Sequence, residues 1–156
     1  MEVLYEDNHL IIVNKNCSEI VQGDKTGDTP LSEMLKAWLK EKYKKPGNVF
    51  VGVSHRPDRP VSGLVVFAKT SKALARLNDM FRNGEVKKSY WAIVKRAPEK
   101  ESGELVHYLV RNEKSNKSVA YDWEKPGAKR AVLDYKILAR GDRYTCLLYT
   151  SPSPRD

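Results

Sequence analysis

Two apolar runs, Val49-Phe50-Val51-Gly52-Val53 and Leu64-Val65-Val66-Phe67-Ala68, enclose a charged stretch, Ser54-His55-Arg56-Pro57-Asp58-Arg59-Pro60-Val61-Ser62-Gly63. Short runs rich in β-branched residues predict buried strands, here over residues 49–54 and 64–69. The stretch between them has to leave the core and return. Prolines at 57 and 60 fix φ and each remove a backbone donor, so the excursion is a stiff loop rather than another strand. Loops carried on rigid strands are where binding and catalytic groups concentrate. Asp58 in such a loop serves either as a turn-forming residue or as a chemical group. From Asp-Arg-Pro alone the turn is the simpler reading.

The rest of the chain supplies more strands and two helices. Val3-Leu4-Tyr5 and Leu10-Ile11-Ile12-Val13 flank Glu6-Asp7-Asn8-His9, the pattern of a hairpin or sharp bend. Thr29 is expected to cap a helix with Pro30 at its first position. Leu31, Met34, Leu35, Trp38 and Leu39 then form one apolar stripe, and Pro46-Gly47 stops the helix. Lys36, Lys40, Lys42, Lys44 and Lys45 lie off that stripe or beyond the helix end, with Glu41 as their local counter-charge. Thr70 or Ser71 caps a second helix with Leu74, Leu77, Met80 and Phe81 inward, and Gly84 suits its left-handed end. Residues 87–95 read as a strand bulky on both faces, hence central. Residues 105–111 with 117–123, and 131–139 with 143–149, read as hairpins, the second turning at Gly141-Asp142. The expected fold class is α+β, a mixed or antiparallel sheet with flanking helices. No internal repeat is present.

At 156 residues the chain suits one domain with a hydrophobic core. Its 28 Lys and Arg against 20 Asp and Glu give a formal charge of +8, which favours a polyanionic partner over a neutral one. A soluble basic surface is the plain alternative. No run approaches the roughly 18 apolar residues of a membrane helix, so no membrane partner is expected. Cys17 and Cys146 do not make a disulfide framework, and a reduced, cytoplasmic setting is expected. His9, His55, His107 and the two cysteines lack ligand spacing, so no metal is expected.

Several ordered motifs resemble one family. His55-Arg56-x-Asp58-x-x-x-Ser62-Gly63 matches the H-R-x-D-x-x-x-S-G signature of the RluA-like pseudouridine synthases. Lys88-Ser89-Tyr90-Trp91-Ala92 resembles that family's K-x-Y-x-A motif. Tyr5-Glu6-Asp7, Leu10 and Asn14-Lys15 resemble its opening segment. A kinase reading fails, because kinases use H-R-D without a spacer and need a glycine-rich nucleotide loop.

The resemblance implies an RNA uridine isomerase without a cofactor, acting as a monomer on ribosomal or transfer RNA, ribosomal RNA favoured. It makes Asp58 the catalytic carboxylate. Arg56 is associated with base flipping, and Tyr90 contacts the base. His55 is an orienting hydrogen-bond partner, Lys88 a phosphate contact, and Ser62 and Gly63 shape the turn. A surface arginine and a core tyrosine are the plain alternatives for Arg56 and Tyr90. A hydrolytic glycosidase needs a second carboxylate beside Asp58, for which Glu6, Asp7 and Asp79 are candidates only through tertiary contact. The other rival is a basic RNA-binding module without catalysis.

Four departures from the family pattern stand out. Pro57 replaces leucine, Asn16 replaces proline, and no S4-type RNA-binding module is expected. The family's third motif, a basic strand beyond the Leu148 equivalent, is replaced by Tyr149-Thr150-Ser151-Pro152-Ser153-Pro154-Arg155-Asp156. The expectation is an incomplete catalytic domain over 1–148, its C-terminal part missing, and a non-native or disordered tail over 149–156. Such a truncated chain is expected to be inactive.

Overall fold

A computed structural model describes residues 1–112 and 117–151. They form two compact units, one from Met1 to Asn83 and one beginning at Gly84. Pairing is antiparallel throughout, within an α+β arrangement of nine strands and two helices among the described residues.

The first unit is built on a sheet of order β1-β2-β4-β3, with β1 Glu2–Glu6, β2 Leu10–Lys15, β3 Gly52–Val53 and β4 Gly63–Ala68. The β1–β2 bend falls where expected. Asp7 Oδ1 accepts from the backbone N–H of His9 at 2.7 Å and of Leu10 at 2.6 Å, which closes the turn. Strand periodicity puts Ile11 and Val13 on one face, opposite Phe67 and Val65 of β4. Helix α1, Leu31–Lys42, covers that face with Leu31, Leu35 and Leu39, all buried in the same cluster. Helix α2, Ser71–Arg82, covers the other face, where Ala73 and Leu77 pack on Ala68. The approach is close. A Cβ on Gly52 would lie 2.9 Å from Leu74 Cδ2 and 3.1 Å from Leu74 Cβ.

Helix ends differ from expectation in one case and agree in the other. Pro30, not Thr29, is the N-cap of α1, and no side chain caps it. The orphan donors are met by backbone instead: Leu31 N–H donates to Ile20 O at 2.8 Å and Ser32 N–H to Val21 O at 3.2 Å. The helix also ends before Pro46, at Lys42, and Lys44 turns left-handed with φ 49°. In α2, Thr70 Oγ1 accepts from Ala73 N–H at 3.1 Å, and Gly84 takes φ 71° just past the end. The expected strand over 49–54 shrinks to Gly52–Val53: β4 ends at Ala68, opposite Gly52, so residues 49–51 run past its end, and the charged loop follows Val53.

Glu6, at the end of β1, ties the end of α1 to the junction between β4 and α2. Its carboxylate accepts from Lys42 at 2.5 Å, Lys69 at 2.6 Å and the Tyr43 hydroxyl at 2.7 Å.

The second unit is a sheet of order β5-β9-β8-β6-β7. Its strands are β5 Lys88–Val94, β6 Ser102–Asn112, β7 Lys117–Tyr121, β8 Lys129–Arg140 and β9 Thr145–Ser151. Both expected hairpins are present, as β6–β7 and β8–β9. Strand β5 is not central among the described residues: there it pairs with β9 and no other strand, and Trp91 and Ile93 are 77% and 75% exposed. Bulk on two faces resembled a central strand, yet one of those faces is in solvent. Strand β9 runs through Ser151, so Tyr149, Thr150 and Ser151, expected in the tail, pair with β5 and β8 or with β5 alone. Residues 152–156 lie outside the described residues.

The Glu6 cluster makes acid stability testable. Burial alone would raise this carboxyl, but hydrogen bonds from Lys42, Lys69 and Tyr43 overcome it and hold its pKa at about 2. A depressed carboxyl stabilises the fold fully above its ordinary value, here 4.5, and the contribution is lost as pH falls toward about 2. Glu6→Gln should therefore lower the urea midpoint at neutral pH and flatten its decline across that window. An unchanged pH profile would contradict the assignment.

Candidate active site

The charged loop is anchored at every turn by residues distant in sequence. In β2 the buried register Ile11, Val13 continues to Lys15, whose side chain is thereby directed into the core; the residue is 1% exposed. Its ammonium donates to the carbonyls of Asn16 and Arg59, each at 3.2 Å, and to that of Val61. Burial pushes the Lys15 amine down from its ordinary value, while nearby Cys17, Glu19 and Asp58 act against that shift. The Arg59 carbonyl also accepts from Ser18 N–H at 2.8 Å.

Arg59 secures the outer side. Its guanidinium donates to Asp28 at 2.7 Å and to the Thr26 hydroxyl at 2.8 Å, and reaches Asp24 at 3.5 Å. The turn itself closes through Val61 N–H on the Asp58 carbonyl at 3.0 Å. Asp58 is exposed at this turn.

His55 fixes the entry. Its Nε2 accepts from Val66 N–H at 3.1 Å, where the pairing of β3 with β4 has already ended. Its ring stacks on Phe81 of α2, with centroids 5.0 Å apart at 27°. A nitrogen that accepts carries no proton, so Nε2 is unprotonated in this arrangement and holds the β4 amide of Val66. Arg56 is exposed, and its Nη1 donates to Gln22 Oε1 at 3.3 Å. Ser62 is exposed, and Gly63 has φ 127°, a backbone state side chains rarely adopt. A Cβ at Gly63 would meet nothing within 4 Å, so conformation and not close approach demands the glycine.

Lys88 and Tyr90 belong to the second unit, on β5. Tyr90 faces its cross-strand partner Tyr149, ring centroids 5.2 Å apart at 21°. The alternation expected for β5 holds, with Lys88, Tyr90, Ala92 and Val94 on the less exposed side. The acids considered as glycosidase partners are committed elsewhere: Glu6 to Lys42 and Lys69, Asp7 to the hairpin turn, and Asp79 to Arg82 at 2.8 Å. Among the described residues, no three His, Cys, Asp or Glu side chains gather to hold a metal ion. No helix there is long and apolar enough to cross a membrane.

Sequence reasoning missed the contacts through which Lys15, Arg59 and Phe81 hold the loop, and the pairing of Tyr149 with Tyr90. Lys15 carried a usable signal, since it sits in phase with Ile11 and Val13 on the buried face of a strand.

The profile of RNA pseudouridylate synthases matches residues 9–151. The chain belongs to this family. An uncharacterized RNA pseudouridine synthase of Zymomonas mobilis is 33% identical over 140 residues, covering 88% of this chain and 60% of that one. A ribosomal large subunit pseudouridine synthase C of Vibrio parahaemolyticus is 31% identical, covering 96% and 44%. A dual-specificity RNA pseudouridine synthase RluA of Haemophilus influenzae is 33% identical, covering 90% and 60%. The chain thus spans between 44% and 60% of the length of these relatives. The human RNA pseudouridylate synthase domain containing 4 superposes with a TM-score of 0.80 at 21% identity, over 97% of this chain and 59% of that one. The fold of this family is therefore that of the chain.

Two substitutions probe the anchoring of the loop. Lys15→Met removes a charged donor from three carbonyls and should cost about 3 kcal/mol in urea unfolding. Ser54 offers the opposite sign: its hydroxyl is buried without a hydrogen-bond partner among the described residues. Ser54→Ala should be neutral or stabilising by up to about 1 kcal/mol. A clear loss of stability would mean that this hydroxyl is satisfied.

Proposed function

We propose that this sequence supplies the uridine-isomerising centre of an RNA pseudouridine synthase, with Asp58 as the catalytic carboxylate. The observation that carries the reading is an exposed aspartate at a turn clamped from beneath by a buried lysine and from outside by Arg59. A reacting carboxylate needs that combination, access for the substrate with little freedom of its own.

The reaction is an isomerisation. The bond between ribose C1′ and uracil N1 breaks, the base turns, and C1′ bonds to C5. The hydrogen on C5 leaves as a proton and N1 ends protonated, so no oxidant or reductant is consumed. Asp58 acts at the ribose or the base while the glycosidic bond is open. The uridine has to be unpaired or flipped out for this, and Arg56 occupies or braces the space it leaves. Tyr90 meets the base and Lys88 a phosphate. His55, Ser62 and Gly63 hold the loop in shape. Ribosomal RNA is the favoured substrate over transfer RNA, in a reduced, cytoplasmic setting and as a monomer. We take residues 1–148 as the catalytic domain, incomplete as it stands here.

The assay is tritium release from RNA labelled at uridine C5. A hybrid is used in which this chain replaces the matching 140-residue segment of the Zymomonas mobilis relative. Release is expected, with Asp58→Asn lowering it about 10³-fold or more while RNA affinity stays within about 2-fold. Undiminished release from the Asp58→Asn hybrid would sink the catalytic assignment and favour a non-catalytic RNA-binding module. Residues 1–156 alone are expected to give no release.

A further inference from the structure

A trough on the first unit leads away from the signature loop along α1. It has two parts that share Glu33 and Lys36. One, of about 600 Å³, is lined by Gln22 and Phe50, and the other, of about 480 Å³, by Lys40. Both volumes fall within the roughly 300–1,000 Å³ of clefts that hold small ligands.

Each wall carries a group suited to a nucleic-acid strand. Val49 and Val51 turn into the core, so Phe50 between them is left 44% exposed on the trough. An aromatic ring in a basic groove is the usual platform for an unpaired base. Gln22 marks the near end, where its Oε1 takes the hydrogen bond from Arg56 of the signature loop. Lys36 and Lys40 are one helical turn apart, about 6 Å along the axis. Lys36 is held by Glu33 at 2.7 Å, a surface pair of adjacent turns that a phosphate can replace at little cost. Farther along the chain Lys42 is committed to Glu6, and Lys44 and Lys45 add two more positive charges. The N-terminal amides of α1 are not the attraction, since those of Leu31 and Ser32 are taken by Ile20 and Val21.

We propose that this trough carries the single-stranded RNA flanking the target uridine. A flanking base stacks on Phe50, Lys36 and Lys40 hold phosphates, and Gln22 meets the nucleotide nearest the signature loop. This path rests on the RNA reading above and names which part of the substrate the first unit holds.

The test uses the 156-residue chain and uridine-containing oligoribonucleotides with 2-aminopurine at successive positions beside the uridine. One position should be quenched on binding. Phe50→Leu, which keeps the apolar volume, should abolish that quenching and weaken binding by about 5- to 150-fold. Phe50→Trp should restore both. Lys36→Gln and Lys40→Gln should each lower the slope of log affinity against log salt by about 0.7. RNA binding with quenching, affinity and slope unaffected by these variants would overturn the path alone. Absence of RNA binding by the unsubstituted chain would overturn the RNA reading and the path together.

Discussion

A buried ammonium organises the first unit. Lys15 stands where the periodicity of β2 calls for an apolar residue, and its charge can be tolerated there only if its protons are matched. The partners it finds are carbonyls of the charged loop and of its own strand end. The loop in turn gains an interior anchor that a stretch with two prolines and exposed charges could not form through its own side chains. Neither part is stable as drawn without the other. Removal of the loop strands a charge in the core, and removal of the lysine strands the carbonyls.

Around that anchor, the loop is held by groups of different character. Arg59 uses charge and shares it among Asp24, Thr26 and Asp28 at the surface. His55 uses a neutral nitrogen to satisfy a β4 amide and a flat ring to rest on α2. Surface pairs weaken with salt, whereas the lysine and the histidine are sheltered from it. The loop's core-side geometry is therefore set by interactions insensitive to ionic conditions, and only its outer rim answers to them.

The sequence revealed what local chemistry decides. The strand phases around Ile11 and Phe67, the stripe of α1, the Thr70 cap and the left-handed Gly84 follow from spacing and backbone preference. The signature loop stood out because prolines and charge interrupt two buried strands. What escaped notice was decided by tertiary partners. Pro30 became a cap because Ile20 and Val21 offer carbonyls to the helix amides. Trp91 and Ile93 gave β5 the look of a central strand, although its place in the sheet is at one edge. By composition Tyr149 reads as part of a polar tail, yet its register opposite Tyr90 makes it part of β9. The candidate site was legible in its exposed residues and illegible in its support, since Lys15 and Phe81 acquire their roles only once the chain is folded.

The tight seat of α2 over Gly52 has a consequence for variation at a distance. The obstruction includes the Cβ of Leu74, which cannot swing aside, so a side chain at position 52 would have to lift the helix. Phe81 rides on that same helix, and His55 rests on Phe81. A methyl group at position 52, on the face that α2 covers, would thus be transmitted as a displacement of the signature loop's entry, through a lever two helical turns long. The orientation of the loop is in this sense inherited from a helix it does not belong to, and drift in the packing of α2 carries over to the loop's geometry as well as to stability.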